Sequence, residues 1–344
     1  MARQNRSDVF DPMRVSVVHC INRAVRRAML CGVDKFSGKS YEHRRDWIKK
    51  RLEFLAGCYG IDVLGYAVMG NHMHVILRNR PDVVEMWSDE DVARRIWRLF
   101  PKRKDQAGNA EEPHDHELKM LIASKRQLAE YRRRLSDVSW LMRQLAEKVA
   151  RLANKEDECS GRFWEGRFKC QPLLDDAAIL ACAAYVDLNP VRAGIAQTPE
   201  ESDYTSVQDR IVAAKQPAKA AKADAWLAPV HLNERSAPGP KASKSRRRAS
   251  DKGFLPIRLG DYLQLLDWTG REIVCGKRGR IPNSCKPILE RLQMSRLTWC
   301  ELVRDFGKLF RSVAGNRGSL QESATRAGKR HRQSAGGAAL LTGR

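Results

Sequence analysis

The sequence has no apolar run long enough to cross a membrane. Its longest such run, Ala177–Val186, has ten residues, whereas a membrane-spanning helix needs about 20. The first dozen residues also lack the hydrophobic stretch of a secretory signal. We therefore expect a cytoplasmic protein without membrane attachment.

Paired cysteine motifs are missing as well. Nine cysteines, an odd number, are spread over 344 residues, and no two of them form a C-x-x-C pair. This spacing argues against a disulfide framework and against a zinc ribbon. We expect reduced thiols.

Acidic residues are few relative to basic ones. The 41 Asp and Glu residues oppose 63 Lys and Arg residues, which gives a formal net charge of +22. Such an excess indicates a polyanionic partner, either nucleic acid or an anionic membrane surface. The composition, 42% hydrophobic and 30% charged, predicts a packed core, and the length fits about two domains.

Changes in composition divide the chain into four segments. Residues 13–208 carry strand and helix patterns. Residues 209–252 are rich in Ala, Lys, Pro and Ser and include the run Lys244–Arg248, so we predict a basic flexible linker there, a solvated spacer in preference to a localisation signal. Residues 253–312 regain apolar spacing and predict a small, mainly helical domain. Residues 313–344 predict a disordered basic tail.

The hydrophobic periodicity of the first segment predicts an α+β fold. β-branched or alternating runs predict strands at Arg14–Asn22, Ile61–Met69, His72–Arg78 and, as a hairpin or a single strand, Arg162–Leu173. Helical spacing predicts helices at Ser40–Tyr59, Ser88–Phe100, Leu118–Asn154 with a break near Ser136, and Asp175–Leu188.

Two histidines lie two residues apart on the third predicted strand. Alternate strand residues share a face, so His72 and His74 point the same way. Two imidazoles in this arrangement can bind one divalent metal ion and leave positions for a phosphate oxygen. The alternative is a pair of ordinary surface histidines, and a second His-x-His pair, His114 and His116, lies in a polar stretch without a predicted strand.

A tyrosine and an asparagine share one face of the last predicted helix. Tyr185 and Asn189 are four residues apart, and the small residues Ala178 and Ala181 leave that face uncrowded. A tyrosine hydroxyl can attack a phosphodiester and form a phosphotyrosine ester. The alternative is a half-buried tyrosine hydrogen-bonded to water.

Basic and aromatic residues alternate just before this helix. Cations beside aromatic rings suit single-stranded nucleic acid, because phosphates pair with the charge and bases stack on the rings. The alternative is that the rings belong to the core and the cations are merely solvated. The predicted DNA contacts are Arg162, Trp164, Arg167, Lys169 and, beyond the helix, Arg192.

Taken in chain order, three segments resemble the HUH single-tyrosine transposases, and most closely their REP-associated tyrosine transposase branch. They are the His-x-His strand Gly70–Leu77, the segment Gly161–Pro172 and the helix end Tyr185–Gly194. The resemblance covers about residues 13–208. It implies a ferredoxin-like palm, an antiparallel sheet with helices and with the two histidines on its open face, followed here by the small helical C-terminal domain.

The resemblance also implies roles for individual residues. Tyr185 would be the nucleophile, and His72, His74 and Asn189 would hold Mg²⁺ or Mn²⁺. The implied partner is single-stranded DNA with a hairpin, a palindromic repeat, which is cut to leave a 5′-phosphotyrosine and a free 3′-OH and is then rejoined. A bacterial protein acting at the nucleoid is implied, and a homodimer is compatible with it, with the tyrosine serving its own protomer or a partner.

Three other functions stay open at this stage. They are a domesticated hairpin-binding protein without cleavage activity, a nickase of the relaxase or replication-initiator type, and an RNA-binding protein. The combination of Tyr185, two histidines and Asn189 favours the transposase, because a binding module needs none of this chemistry. The chain departs from the family pattern at Asp187, where His or an aromatic residue is more usual, in the long stretch Pro81–Ser160, and in the C-terminal block Tyr262–Pro282.

Overall fold

The protein has an α+β fold with a four-stranded antiparallel sheet. The computed structural model describes residues 11, 13–25, 29–34, 36–106, 108–215, 223–232, 242–243, 245–273, 295–310, 312–326 and 335–341. Within these ranges thirteen helices surround the sheet.

The sheet is built from four strands in the order β2-β3-β1-β4, with every neighbouring pair antiparallel. The strands are β1 (Ser16–Arg23), β2 (Ile61–Val68), β3 (His72–Asn79) and β4 (Lys169–Leu173). A tight turn at residues 70–71 joins β2 to β3, and Met69 N donates to His72 O across it at 2.8 Å. The segment predicted as a hairpin or strand at Arg162–Leu173 is a single strand in its last part only.

Helices fill the connections and the C-terminal third. They are α1 (His43–Cys58), α2 (Pro81–Glu85), α3 (Asp89–Leu99), α4 (Asp115–Ala123), α5 (Lys125–Leu135), α6 (Val138–Glu156), α7 (Asp176–Asp187), α8 (Asn189–Arg192), α9 (Ser206–Lys215), α10 (Leu259–Ile273), α11 (Arg296–Leu309), α12 (Arg317–Arg326) and α13 (Ala335–Leu340). The predicted tract Leu118–Asn154 is broken twice, where Ser124 and Asp137 cap new helices.

One face of the sheet packs on the helices that lie between the strands in sequence. Met73, Val75 and Leu77 alternate along β3 and join one hydrophobic cluster with residues of α1 and α6. This face is the core side that the strand pattern predicts. Each fully buried side chain of this size contributes about 1.5–3 kcal/mol to folding.

The opposite face of the sheet is covered by α7 and α11, so the expectation of an open histidine face is wrong. Residues 178–187 of α7 are all buried. A helix that is apolar all round needs partners on every side. The sheet supplies one side, and Trp299 and Phe306 of α11 supply the other within the same hydrophobic cluster.

Helices α10 and α11 pack on the same core as the tyrosine helix α7. Leu265 of α10 and Phe306 of α11 belong to the hydrophobic cluster that contains Tyr185. The predicted linker 209–252 is also partly packed: Ser250 N donates to the buried carboxylate of Asp62 at 2.9 Å. The helices α12 and α13 lie in the predicted disordered tail. Residues 216–222, 233–241 and 244 of the linker and 327–334 and 342–344 of the tail fall outside the described residues.

The described residues can be compared with the expectations of no membrane-spanning segment and of reduced cysteines. None of their helices combines the length and apolarity that crossing a membrane requires. None of the seven cysteines that they include forms a disulfide.

Candidate active site

Side chains from three strands and two helices meet where α7 crosses the sheet. The Tyr185 ring lies edge-on to the His74 ring with centroids 5.5 Å apart, and edge-on to His19 at 6.2 Å. Asn189, at the start of α8, places its amide nitrogen 3.0 Å from His74 Nε2. All these groups come from one chain, so the tyrosine and the histidines meet without a partner protomer.

The buried side chains form a continuous line of hydrogen bonds. Gln171 Oε1 lies 3.2 Å from His19 Nδ1, and His19 Nε2 lies 2.8 Å from His74 Nδ1. At the far end His74 Nε2 faces Asn189. All four side chains are buried, with His19 and His74 only 1% and 2% exposed. The line fixes the orientation of every ring in it.

His72 stands at the edge of this cluster. Its ring centroid is 4.9 Å from that of His74. Its Nδ1 lies 2.6 Å from Asn71 Oδ1, which accepts from that nitrogen and leaves Nε2 as the lone-pair nitrogen. His72 is partly exposed and His74 is buried, and both line the same cavity.

Burial keeps the three histidines neutral at pH 7. It lowers the pKa of His19 to about 4, against the raising effect of the hydrogen bond to Gln171. It also lowers the pKa of His72 to about 4, assisted by the positive charges of Arg23 and Arg192. The pKa of His74 falls well below its ordinary value for the same reason, burial first and neighbouring positive charge second. Neutral imidazoles are the form that binds a metal.

Tyr185 sits under α11. Its ring is 5.6 Å from the Phe306 ring, and the Arg192 guanidinium lies 4.6 Å from its centroid. A Cβ placed on Gly307 would come within 3.0 Å of the hydroxyl oxygen. No described residue hydrogen-bonds to that hydroxyl, so the oxygen is available to a ligand.

Tyr185, His72 and His74 line a cavity of about 310 Å³. Its charged lining is mainly basic: Arg23, Arg167, Lys169, Arg192 and Lys308, against Glu165 and Asp305. Within the described part of the chain, Arg167 and Lys169 have no ion-pair partner. Their charges can therefore meet phosphates.

The predicted DNA contacts divide into two groups. Arg167, Lys169 and Arg192 line the cavity, whereas Arg162 opens on a different one. Trp164 is buried, with 8% of its surface exposed, and its Nε1 donates to Ala146 O at 2.8 Å. The ring is therefore a packing residue, and the prediction that it stacks on bases is wrong.

A better stacking surface lies on α6. Trp140 is half-buried in a groove of about 660 Å³ that shares Asn22, Gly166 and Arg167 with the cavity. The guanidinium of Arg143 lies 5.3 Å from the Trp140 ring centroid. The sequence pattern did not single out this tryptophan, because nothing local in α6 shows that it shares a groove with Gly166 and Phe168.

The polar groups of His72, His74 and Asn189 suit a divalent metal ion. They offer two imidazole nitrogens and one amide. The Asn189 oxygen accepts from the Arg192 guanidinium at 3.4 Å, so the amide would have to make a half-turn to present its oxygen to a metal ion. No group of three or more His, Cys, Asp or Glu side chains in the described ranges could hold a metal, so a metal ion at this position would need the Asn189 oxygen as a third ligand. Imidazole ligands favour transition metals such as Mn²⁺ over Mg²⁺.

Asp187 anchors the end of the tyrosine helix. Its buried carboxylate accepts hydrogen bonds from Ser206 Oγ at 2.5 Å, Tyr262 Oη at 2.6 Å and Val207 N at 3.1 Å. Burial raises the pKa of this carboxyl against those hydrogen bonds. Asp187 thus ties α7 to α9 and α10.

His19, Gln171 and the α11 residues are missing from the sequence-based site. His19 lies on β1, and its contact with His74 depends on the pairing of β1 with β3. The sequence of β1 alone does not show that pairing. Gly307 reaches the site only through tertiary packing. A search for histidines on any predicted strand would have found His19, but nothing local marks Gly307.

Comparisons with known proteins are sparse. No protein-family model matches the chain, and no curated protein sequence matches it. Among solved structures, the chain is similar to a REP-associated tyrosine transposase bound to a REP hairpin, at 10% identity and a TM-score of 0.36, over 61% of this chain and 86% of that one. Similarity this weak carries no function across, so the function proposed below rests on the geometry of this site.

Proposed function

We propose that the protein is a transposase of the HUH single-tyrosine type. It nicks and rejoins single-stranded DNA at hairpin-containing ends through a 5′-phosphotyrosine. The observation that carries this proposal is the meeting of the Tyr185 phenol with His74 and Asn189 beside a basic cavity. A tyrosine hydroxyl can serve as a nucleophile at phosphorus, and no described residue forms a hydrogen bond that would occupy this one.

The arrangement of the sheet supports a ferredoxin-like palm. The chain passes through strand, helix, two strands, helices and a strand before α7, and the strand order β2-β3-β1-β4 is antiparallel throughout. This is the β-α-β-β-α-β pattern of that fold. The helices α2 to α6 fill the long connection between β3 and β4.

The covalent step balances as a transesterification. Tyr185 Oη forms a bond to phosphorus while the bond from phosphorus to O3′ breaks, the phenol proton passes to solvent, and the departing O3′ takes a proton from solvent. The products are a 5′-phosphotyrosine and a free 3′-OH. A 3′-OH that attacks the same phosphorus reseals the strand and releases the phenol.

His72, His74 and Asn189 would hold Mg²⁺ or Mn²⁺. A bound divalent ion would polarise a phosphate oxygen and stabilise charge at the reacting centre. Arg192 lies over the Tyr185 ring and can orient a phosphate towards the hydroxyl. The low pKa values of the histidines keep their lone pairs available at neutral pH.

The basic cavity and the Trp140 groove would bind the unpaired strand. Arg167 lies in both, so the two form one surface with cations and an aromatic ring. Phosphates would pair with Arg167 and Lys169, and a base would stack on Trp140. Such contacts are largely independent of sequence.

A covalent-adduct assay tests the proposal. The protein is incubated with labelled single-stranded hairpin DNA and Mn²⁺, and an SDS-stable adduct is expected. The adduct should disappear with Tyr185→Phe and with EDTA, while a gel shift persists in both. Wild-type protein that shifts the hairpin but never forms an adduct would indicate a binding protein and overturn the proposal.

A further inference from the structure

In the line of hydrogen bonds from Gln171 to Asn189, the donor and acceptor atoms are fixed at the Gln171 end. Gln171 Nε2 donates to the main-chain carbonyl of Phe310, at the end of α11. A carbonyl oxygen only accepts, so the amide nitrogen of Gln171 must face it. The amide oxygen of Gln171 is then the atom that faces His19.

This constraint passes along the line one ring at a time. Because Gln171 Oε1 accepts, His19 Nδ1 carries the proton and His19 Nε2 is an acceptor. His74 Nδ1 must then donate to His19 Nε2, 2.8 Å away. His74 is left with a lone pair on Nε2, the nitrogen that faces Asn189.

The opposite arrangement would place two oxygen atoms against each other. If His74 carried its proton on Nε2, His19 would have to donate from its own Nε2, and Gln171 would have to donate to His19 Nδ1. Its oxygen would then face the Phe310 carbonyl in a buried site. An unpaired buried acceptor costs about 1–3 kcal/mol, so the first arrangement is favoured.

We propose that His19 and Gln171 are positioning residues that hold the Nε2 lone pair of His74 towards the metal site. Neither touches the metal or the DNA in this role. The inference rests on the proposed function only in taking His74 as a metal ligand. Metal-bound histidines in proteins generally donate their other ring nitrogen to a fixed acceptor, and loss of that acceptor weakens metal binding about 10- to 100-fold.

Two measurements that need no DNA test this inference. Side-chain ¹⁵N–¹H NMR of histidine-labelled, metal-free protein at pH 7.5 gives the protonated nitrogen of each ring, with signals assigned from His19→Gln and His74→Gln. We expect Nδ1 protonated in both His19 and His74. A proton on Nε2 of His74 in the wild type overturns the inference without any question of misfolding.

The second measurement is Mn²⁺ affinity by electron paramagnetic resonance. Gln171→Leu removes the amide oxygen that fixes the tautomer of His19 and, through it, that of His74. We expect a Kd for Mn²⁺ at least tenfold higher together with a mixture of His74 tautomers. Val17→Ala is the control, because it removes packing from the same strand face as His19 but no hydrogen bond. Gln171→Leu with wild-type Kd and tautomer overturns the inference, and so does a wild type that does not bind Mn²⁺.

Failure of the proposed function would look different. A wild type that binds Mn²⁺ with the expected tautomers but makes no DNA adduct contradicts the transposase and supports the positioning role. An adduct that forms normally while His74 carries its proton on Nε2 contradicts the positioning role alone.

Discussion

Acidification should destabilise the metal-free protein through its buried histidines. The pKa values of His19 and His72 are lowered by burial to about 4, against 6.5 in an unfolded chain. The unfolded state therefore binds more protons than the folded state, and stability is lost as the pH falls from 6.5 towards 4. At pH 5 an unfolded histidine is almost fully protonated, whereas each of these is mostly neutral in the folded protein. The difference costs about 2 kcal/mol per histidine relative to pH 7.5, or about 4 kcal/mol for the two.

Buried carboxyls act in the opposite direction. Burial raises the pKa values of Glu53, Asp187 and Asp209, so their protonation offsets part of the loss. The loss of unfolding free energy that the histidines cause between pH 7.5 and pH 5 is therefore best measured as a difference between the wild type and a variant. His72→Gln removes one titrating ring and should reduce the pH dependence by about 2 kcal/mol.

Urea unfolding followed by far-ultraviolet circular dichroism, in EDTA at pH 7.5 and pH 5, measures these free energies. His116→Gln is the control, since that side chain is exposed, and it should leave the pH dependence unchanged. A wild type equally stable at both pH values, or a His72→Gln variant with the wild-type difference, would refute the argument that burial holds these rings neutral.

Three further predictions concern the residues around the tyrosine. Gly307→Ala should slow adduct formation, since the new methyl group would crowd the Tyr185 hydroxyl. It should not lower the Tm, because alanine favours the helix. The control Gly260→Ala, which places its Cβ in open space, should leave the rate unchanged. Tyr262→Phe should lower the free energy of unfolding in urea by about 1–3 kcal/mol, because it removes a hydrogen bond to the buried Asp187 carboxylate. Trp140→Leu should weaken binding of a single-stranded flank at least fivefold in fluorescence anisotropy, because stacking contributes about 1–3 kcal/mol per base. Trp140→Phe should retain most of the affinity. Equal affinity of the wild type and both variants would contradict the stacking role.

Local patterns predicted the elements that carry the site. The alternation along His72–Arg78 predicted the third strand and its core side. Asp175 marked the start of the tyrosine helix α7, where its carboxylate accepts from Ala178 N. These features depend on neighbours in sequence. Tyr185 and Asn189 share a helical face for the same reason.

What covers the site could not be predicted locally. Helix α7 is buried on all sides, and nothing in its own sequence shows that α11 supplies the second layer. The contact of His19 with His74 depends on the pairing of two strands that are about fifty residues apart. Long-range pairing of this kind is set by the whole core, so the expectation of an open histidine face was wrong.

The most direct test of the proposed chemistry is the identification of the atom that is joined to DNA. After reaction with hairpin DNA and Mn²⁺, nuclease and trypsin digestion should leave a nucleotide on the peptide 170–192, whose one tyrosine is Tyr185. We predict that mass spectrometry will find that adduct, with the nucleotide attached through its 5′-phosphate and the released strand ending in a 3′-OH. DNA cut with no modified peptide, or a nucleotide on another residue, would contradict the account.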